Sequence, residues 1–141
     1  MNLIQLIYLS SLSDIRLEHE IGKILESSVR NNNENGITGM LLYANGNFLQ
    51  VLEGERNAVE EAFARICADP RHYDIIVLLR EPIAQRNFSQ WSMGYQHLNE
   101  HDIRAFPKCA PLFKFRDNDE AIRAEPGIAL ELLRQFSIDN R

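Results

Sequence analysis

The dipeptide Asn45-Gly46, set between the apolar runs Ile37 to Ala44 and Asn47 to Leu52, constrains this chain more than any other feature. Asn-Gly favours the two positive-φ positions of a type I′ turn, whose twist matches that of the strands it joins. A two-residue loop also fixes register, so Ala44 opposes Asn47, Tyr43 opposes Phe48, Leu42 opposes Leu49, Leu41 opposes Gln50 and Gly39 opposes Leu52. Opposed residues share a face. One face then carries Gly39, Leu41, Tyr43, Phe48, Gln50 and Leu52, and the other carries Thr38, Met40, Leu42, Leu49 and Val51. Both are largely apolar, so the hairpin belongs to a sheet covered on both sides.

The flanking segments supply the other elements. Leu3 to Leu9 reads as a strand with Ile4, Leu6 and Tyr8 on one face. Ser10, Ser11 and Ser13 mark a turn, with Ser13 as a helix cap and Asp14 in the first turn. Leu17, Ile21, Ile24, Leu25 and Ser28 follow at helical spacing, and the polar cluster from Asn31 to Gly36 ends that helix. Asn57, with Glu60 three residues on, starts a second helix bearing Val59, Phe63 and Ile66, which Pro70 ends. Tyr73 to Leu79 is a strand closed by Pro82, and Trp91 to Tyr95 is a last strand with Trp91, Met93 and Tyr95 on one side. The order β-α-β-β-α-β-β predicts an α+β, ferredoxin-like sheet with one added strand and two helices on one face. Beyond Leu98, His101 to Phe106 reads as a short helix ended by Pro107. Pro126 to Phe136 reads as an amphipathic helix with Ile128, Leu132, Leu133 and Phe136 on one side. These C-terminal helices are expected on the other face of the sheet.

Composition narrows the partners. The 141 residues carry 20 acidic against 15 basic side chains, a net charge of -5, which argues against nucleic-acid binding. The aliphatic run Ile75 to Leu79 is far short of a membrane span. Met1 to Gln5 lacks a basic n-region, so no signal peptide is expected. Cys67 and Cys109 show no CxxC spacing, and His19, His72, His97 and His101 form no metal motif. The expectation is a cytoplasmic domain with reduced thiols and no metal.

Few residues point to chemistry on their own. Gln50 interrupts an apolar face, and a buried amide must have its donors and acceptor met. It bonds either a neighbouring backbone group or tyrosine hydroxyl, or a ligand. Tyr8 reads as a core aromatic unless Gln50 lies beside it. Ile24, Ser28 and Asn31 share a helical face with Asn32 adjacent, a gradation from apolar to polar that suits a flat ring with polar edges. The same asparagines also serve as a helix exit. Arg65 and Asp69 beside Ile66 form an i,i+4 pair, and Arg30 and Arg65 are candidates to meet phosphates, although GxGxxG and P-loop motifs are lacking. Trp91 and Met93 fit a core, and nothing marks Glu53 and Glu55 as an acid/base pair.

Taken together, the motifs resemble the BLUF family of flavin-using blue-light sensors. The likeness is carried by Leu6-Ile7-Tyr8, by Ser27-Ser28-Val29-Arg30-Asn31-Asn32 and by Gly36 to Leu41. It continues in Phe48-Leu49-Gln50-Val51-Leu52-Glu53-Gly54, Asp69-Pro70-Arg71-His72-Tyr73 and Asn87 to Gly94. The resemblance implies a flavin, FAD with FMN as the alternative. It implies photoactive roles for Tyr8, Gln50, Trp91 and Met93, and a cofactor pocket of Ile24, Ser28, Arg30, Asn31, Asn32, Gln50, Arg65, Ile66 and Asp69. It also implies light-driven electron and proton transfer from Tyr8, rearrangement of the Gln50 hydrogen bonds, and a signal leaving through the Trp91/Met93 strand. Residues 1–98 would then be the sensor and residues 99–141 a helical cap and relay. With no effector domain attached, the expected partners are a separate protein and further copies of the chain, not nucleic acid or membrane. The other readings are a ligand-binding or interaction module without photochemistry, and an acylphosphatase-like hydrolase. The latter needs a phosphate loop that Ser10-Ser11-Leu12-Ser13, without glycine or arginine, does not provide.

Overall fold

In the computed structural model, which describes residues 2–89, 93–107, 112–113 and 126–139, the chain begins with β1 (Leu3–Leu12), a 3-10 turn (Ile15–Glu20) and α1 (Ile21–Asn35). The hairpin of β2 (Thr38–Ala44) and β3 (Asn47–Glu55) follows, then α2 (Arg56–Ala68), β4 (His72–Pro82), β5 (Gly94–His97), α3 (Glu100–Ala105) and α4 (Pro126–Asp139). The strands lie in the order β4-β1-β3-β2-β5. All neighbours are antiparallel except β2 and β5, which run parallel. The expected ferredoxin-like arrangement is present, with β5 as the added edge.

The hairpin follows its turn chemistry. Asn45 and Gly46 have φ of 52° and 78°, and the β2–β3 pairs are those a two-residue loop requires. Its two faces enter two cores. Leu41, Phe48 and Leu52 pack with Ile4, Leu6 and Tyr8 of β1 under Ile21 of α1 and Val59 and Ala62 of α2. Leu42, Leu49 and Val51 pack with Ile7 and Leu9 under Leu112, Phe113 and, from α4, Ala129, Leu132 and Leu133. A fully buried leucine contributes roughly 2 kcal/mol relative to exposure, so Leu132 and Leu133 hold α4 on the second face.

Four of the boundaries that differ from the sequence expectation have a visible cause. Ser10 and Ser11 belong to β1 rather than to a turn. They pair with Phe48 and Asn47, and Ser11 Oγ donates to Asn47 Oδ1 at 3.0 Å, so ladder partners override the turn preference of serine. Asp14, not Ser13, caps the following turn by accepting from Arg16 N at 2.9 Å; α1 itself starts only at Ile21. Glu55 replaces Asn57 as the cap of α2, its longer carboxylate accepting from Ala58 N at 3.2 Å. The last strand begins at Gly94, where β2 offers a parallel partner, with Met93 just before it. Trp91, Cys109 and the Phe136 side chain lie outside the described residues. In β4, Asp74 adopts φ 51° where the register to β1 shifts, a conformation that aspartate tolerates at a bulge.

Candidate functional site

The β1–β3 register sets Tyr8 opposite Gln50. The Tyr8 hydroxyl donates to Gln50 Oε1, and Gln50 Nε2 donates to Met93 Sδ at 3.2 Å. All three residues are buried. Burial, reinforced by Cys67 and Asp69, raises the Tyr8 pKa far above the ordinary phenol value, so the hydroxyl keeps its proton and must donate. That orients the amide: its carbonyl faces Tyr8 and its NH2 faces Met93. The Phe63 ring from α2 packs 5.4 Å from the Tyr8 ring, centroid to centroid. Gly39 makes room beside this chain. A Cβ there would collide with the Val51 carbonyl and come within 3.3 Å of Met93 Cε, so the strand and the methionine fit only because residue 39 has no side chain.

Tyr8 and Gln50 form the floor of a cleft between α1 and α2, about 790 Å³ counted out to its mouth. Ile24, Ser28, Asn31 and Asn32 line it from α1, Arg65 and Ile66 from α2, and Asp69 from the turn that follows. The structure thus brings together the sequence-proposed pocket with one exception. Arg30 does not line the cleft; it is exposed and sits 3.7 Å from Glu26. The proposed Arg65–Asp69 pair does not form either. Asp69 is held by Arg71, whose Nη2 lies 2.8 Å from Oδ2 and whose backbone N donates to Oδ1 at 2.9 Å. The turn through Pro70 lets the guanidinium fork fold back on the carboxylate, which drops its pKa below the usual aspartate value.

Sequence reasoning missed Ser27, Arg71 and His72, all of which line the cleft. The only available signal was their place in the motifs around Asn31 and Pro70. His72 Nδ1 lies 3.3 Å from Ser10 Oγ, and its ring packs 5.1 Å from Phe48. Burial pushes the His72 pKa down, Asp69 opposes that shift and Arg71 adds to it. Among the described residues no cluster suited to a metal ion is found, and no helix is long and apolar enough to cross a membrane.

The donor set fits a flavin. Ile24 of α1 and Ile66 of α2 both line the cleft and offer apolar surface to a flat ring. Three amides, on Asn31, Asn32 and Gln50, combine donors and acceptors as a ring edge of alternating carbonyl and imide groups demands. Arg65 and Arg71 add positive charge to the lining.

Glu53 and Glu55 have separate structural tasks. Glu55 caps α2. Glu53 is wholly buried on the opposite face from Gln50 and accepts from Gln5 Nε2 at 2.8 Å, Asn87 N at 2.8 Å and Phe88 N at 2.7 Å. It therefore anchors the segment that leaves β4 to the centre of the sheet.

Comparison with known proteins agrees with this geometry. The family model described as sensors of blue-light using FAD matches residues 3–94. The chain is 32% identical over 123 residues to the blue light- and temperature-regulated antirepressor BluF of Escherichia coli (strain K12), an alignment covering 84% of this chain and 30% of that protein. The structure is similar to that of BlrB, a BLUF protein in its dark state, with a TM-score of 0.79 and 33% identity over 98% of this chain and 97% of that one. It is also similar to a bacterial light-regulated adenylyl cyclase, with a TM-score of 0.75 and 31% identity over 94% of this chain and 39% of that one. The chain spans less than a third of the length of the curated relatives it matches.

Proposed function

Because this chain belongs to the BLUF family of blue-light sensors, we propose that it holds a flavin non-covalently between α1 and α2 and registers light through the hydrogen bonds of Gln50. Asn31 and Asn32 would bond the polar edge of the ring, Ile24, Ser28 and Ile66 would flank it, and Arg65, with Asp69 positioning Arg71, would face the phosphates. The bound flavin supplies absorption of blue light and, once excited, a site that takes up an electron and a proton.

The chain supplies the rest. Tyr8 holds a proton at Oη whose acceptor is Gln50 Oε1, so proton movement starts along that bond. Gln50 uses one N–H on Met93 Sδ and retains a second for a ligand acceptor in the cleft. Rotation or tautomerisation of the amide exchanges donor for acceptor toward Tyr8, Met93 and the cleft together, with almost no change in volume. Met93, and with it the segment that carries Trp91, passes that exchange to α3, α4 and a separate protein partner. We read the chain as a sensor and not an enzyme. Ser10 and Ser11 inside β1 leave no phosphate loop for acylphosphatase-like hydrolysis.

The observation that carries this reading is the buried Tyr8–Gln50–Met93 chain opening on an amide-lined cleft. Purified protein is expected to be yellow and to show a flavin spectrum that shifts reversibly to the red under blue light. Chromatography of the released cofactor is expected to give FAD rather than FMN. A protein that stays colourless when supplied with FAD, or a flavin-loaded protein whose spectrum does not respond to light, would overturn the proposal.

A further inference from the structure

The sheet separates the cleft on one face from α4 on the other. Residues 83–89 pass around the end of the sheet, and two adjacent side chains there reach both sides. Arg86 Nη2 donates to Gly36 O at 2.7 Å, while Nη1 donates to Thr38 Oγ1 at 2.9 Å and to Glu53 O at 3.0 Å. Gly36 is the left-handed C-cap of α1, with φ 67°, directly beyond the turn that carries Asn31 and Asn32. A guanidinium at that point also meets the negative end of the helix dipole.

Asn87 reaches the other way. Its backbone N and its Nδ2, the latter at 3.2 Å, donate to the buried Glu53 carboxylate. With Nδ2 committed to a carboxylate, Oδ1 must point away from it. There it accepts from Arg134 Nη2 at 2.7 Å, on α4. Arg134 directly follows Leu132 and Leu133, which are buried against the sheet. A displacement of the last turn of α1 is thus connected through Gly36, Arg86, Asn87 and Arg134 to a packed helix on the far face.

From this geometry we propose that Arg86 and Asn87 are a positioning pair that couples the α1 wall of the cleft to α4, a path separate from the one through Met93. The proposal rests on the photosensor reading above. Glu53 is its fulcrum, since it fixes the Asn87 amide and lies three residues along β3 from Gln50.

The test is hydrogen–deuterium exchange on the flavin-loaded full chain, comparing dark and illuminated protein over residues 127–135. Wild type is expected to show a light-dependent difference there. Arg134→Ala should keep the dark spectrum and the red shift yet reduce the light–dark difference about fivefold, the low end of site-to-site coupling. Arg134→Lys, which retains a donor, should restore part of it. Arg86→Gln should also reduce the difference, and the double variant should lose no more than the worse single variant, as residues on one path are non-additive. A red-shifting wild type with no difference in α4, an undiminished difference in Arg134→Ala, or additive losses would each overturn the coupling path while leaving the photosensor reading intact. Absence of the red shift in wild type would instead defeat the reading on which it rests.

Discussion

Tyr8 and Gln50 face each other across the β1–β3 ladder, so the Gln50 amide is the nearest acceptor for a buried phenol that cannot give up its proton to water. The pair is defined by register alone: a slip of one residue would send Gln50 to the α4 face. Gln50→Leu is close in volume and cannot rearrange hydrogen bonds. The variant should bind flavin and show no reversible red shift; a normal difference spectrum would remove Gln50 from its role.

Tyr8→Phe removes the hydroxyl and leaves Gln50 Oε1 without its donor, at a cost of about 1–3 kcal/mol in folding stability. The light response should be lost while the flavin remains bound. Illumination of the purified variant, with a urea titration of the same sample, reads both.

Met93→Leu is nearly volume-neutral and should cost less than about 1.5 kcal/mol. It removes the sulfur acceptor of Gln50 Nε2. Flavin content should be unchanged and the rate of dark recovery altered. Recovery kinetics indistinguishable from wild type would show that this contact does not bias the amide.

Glu53→Ala strips the acceptor from Gln5, Asn87 and Phe88 at once. Gln5 and Phe88 are buried while Asn87 is exposed, so leaving the two buried donors unpaired should cost at least about 2 kcal/mol. Urea denaturation is the measure, and a loss under about 1 kcal/mol would mean that water replaces the carboxylate.

Acid should weaken the protein through His72 before it does so through Asp69. Burial holds the folded His72 pKa below its ordinary 6.5, so just below that pH the unfolded chain binds a proton that the folded chain does not. Stability therefore falls as the pH drops below 6.5, until the folded ring titrates as well. The Asp69 contribution, from a carboxyl lowered by Arg71, is complete above 3.8 and is lost only as the pH falls below that value. Urea midpoints at about pH 7.5, 6 and 5 should decline in wild type and decline less in His72→Gln.

What the sequence made legible follows physical locality. The hairpin, its register and the sorting of residues to two faces were readable, because turn chemistry and a period of two decide them within a dozen residues. The helix starts were misread because Asp14 and Glu55 compete with Ser13 and Asn57, and only geometry shows which oxygen reaches the free N–H groups. Tyr8, Gln50 and the asparagines were visible as residue types, but their roles came from motif resemblance, since no local pattern puts β1 beside β3. Arg71, His72, Arg86 and Asn87 were unreadable as partners for the same reason. Asp69 engages Arg71 through a proline turn rather than Arg65 through a helix face, a choice that the i,i+4 rule does not anticipate.

The four residues of β5, paired on one side to β2, stand beside strands of seven to eleven residues. So short a margin, held by a few ladder bonds, has an opening free energy far below that of the interior strand β1. Warming should fray it first, well before global melting. The frame that holds Tyr8 against Gln50 would then outlast the edge that Met93 adjoins, and heat would blunt the output of the protein while its colour change survives.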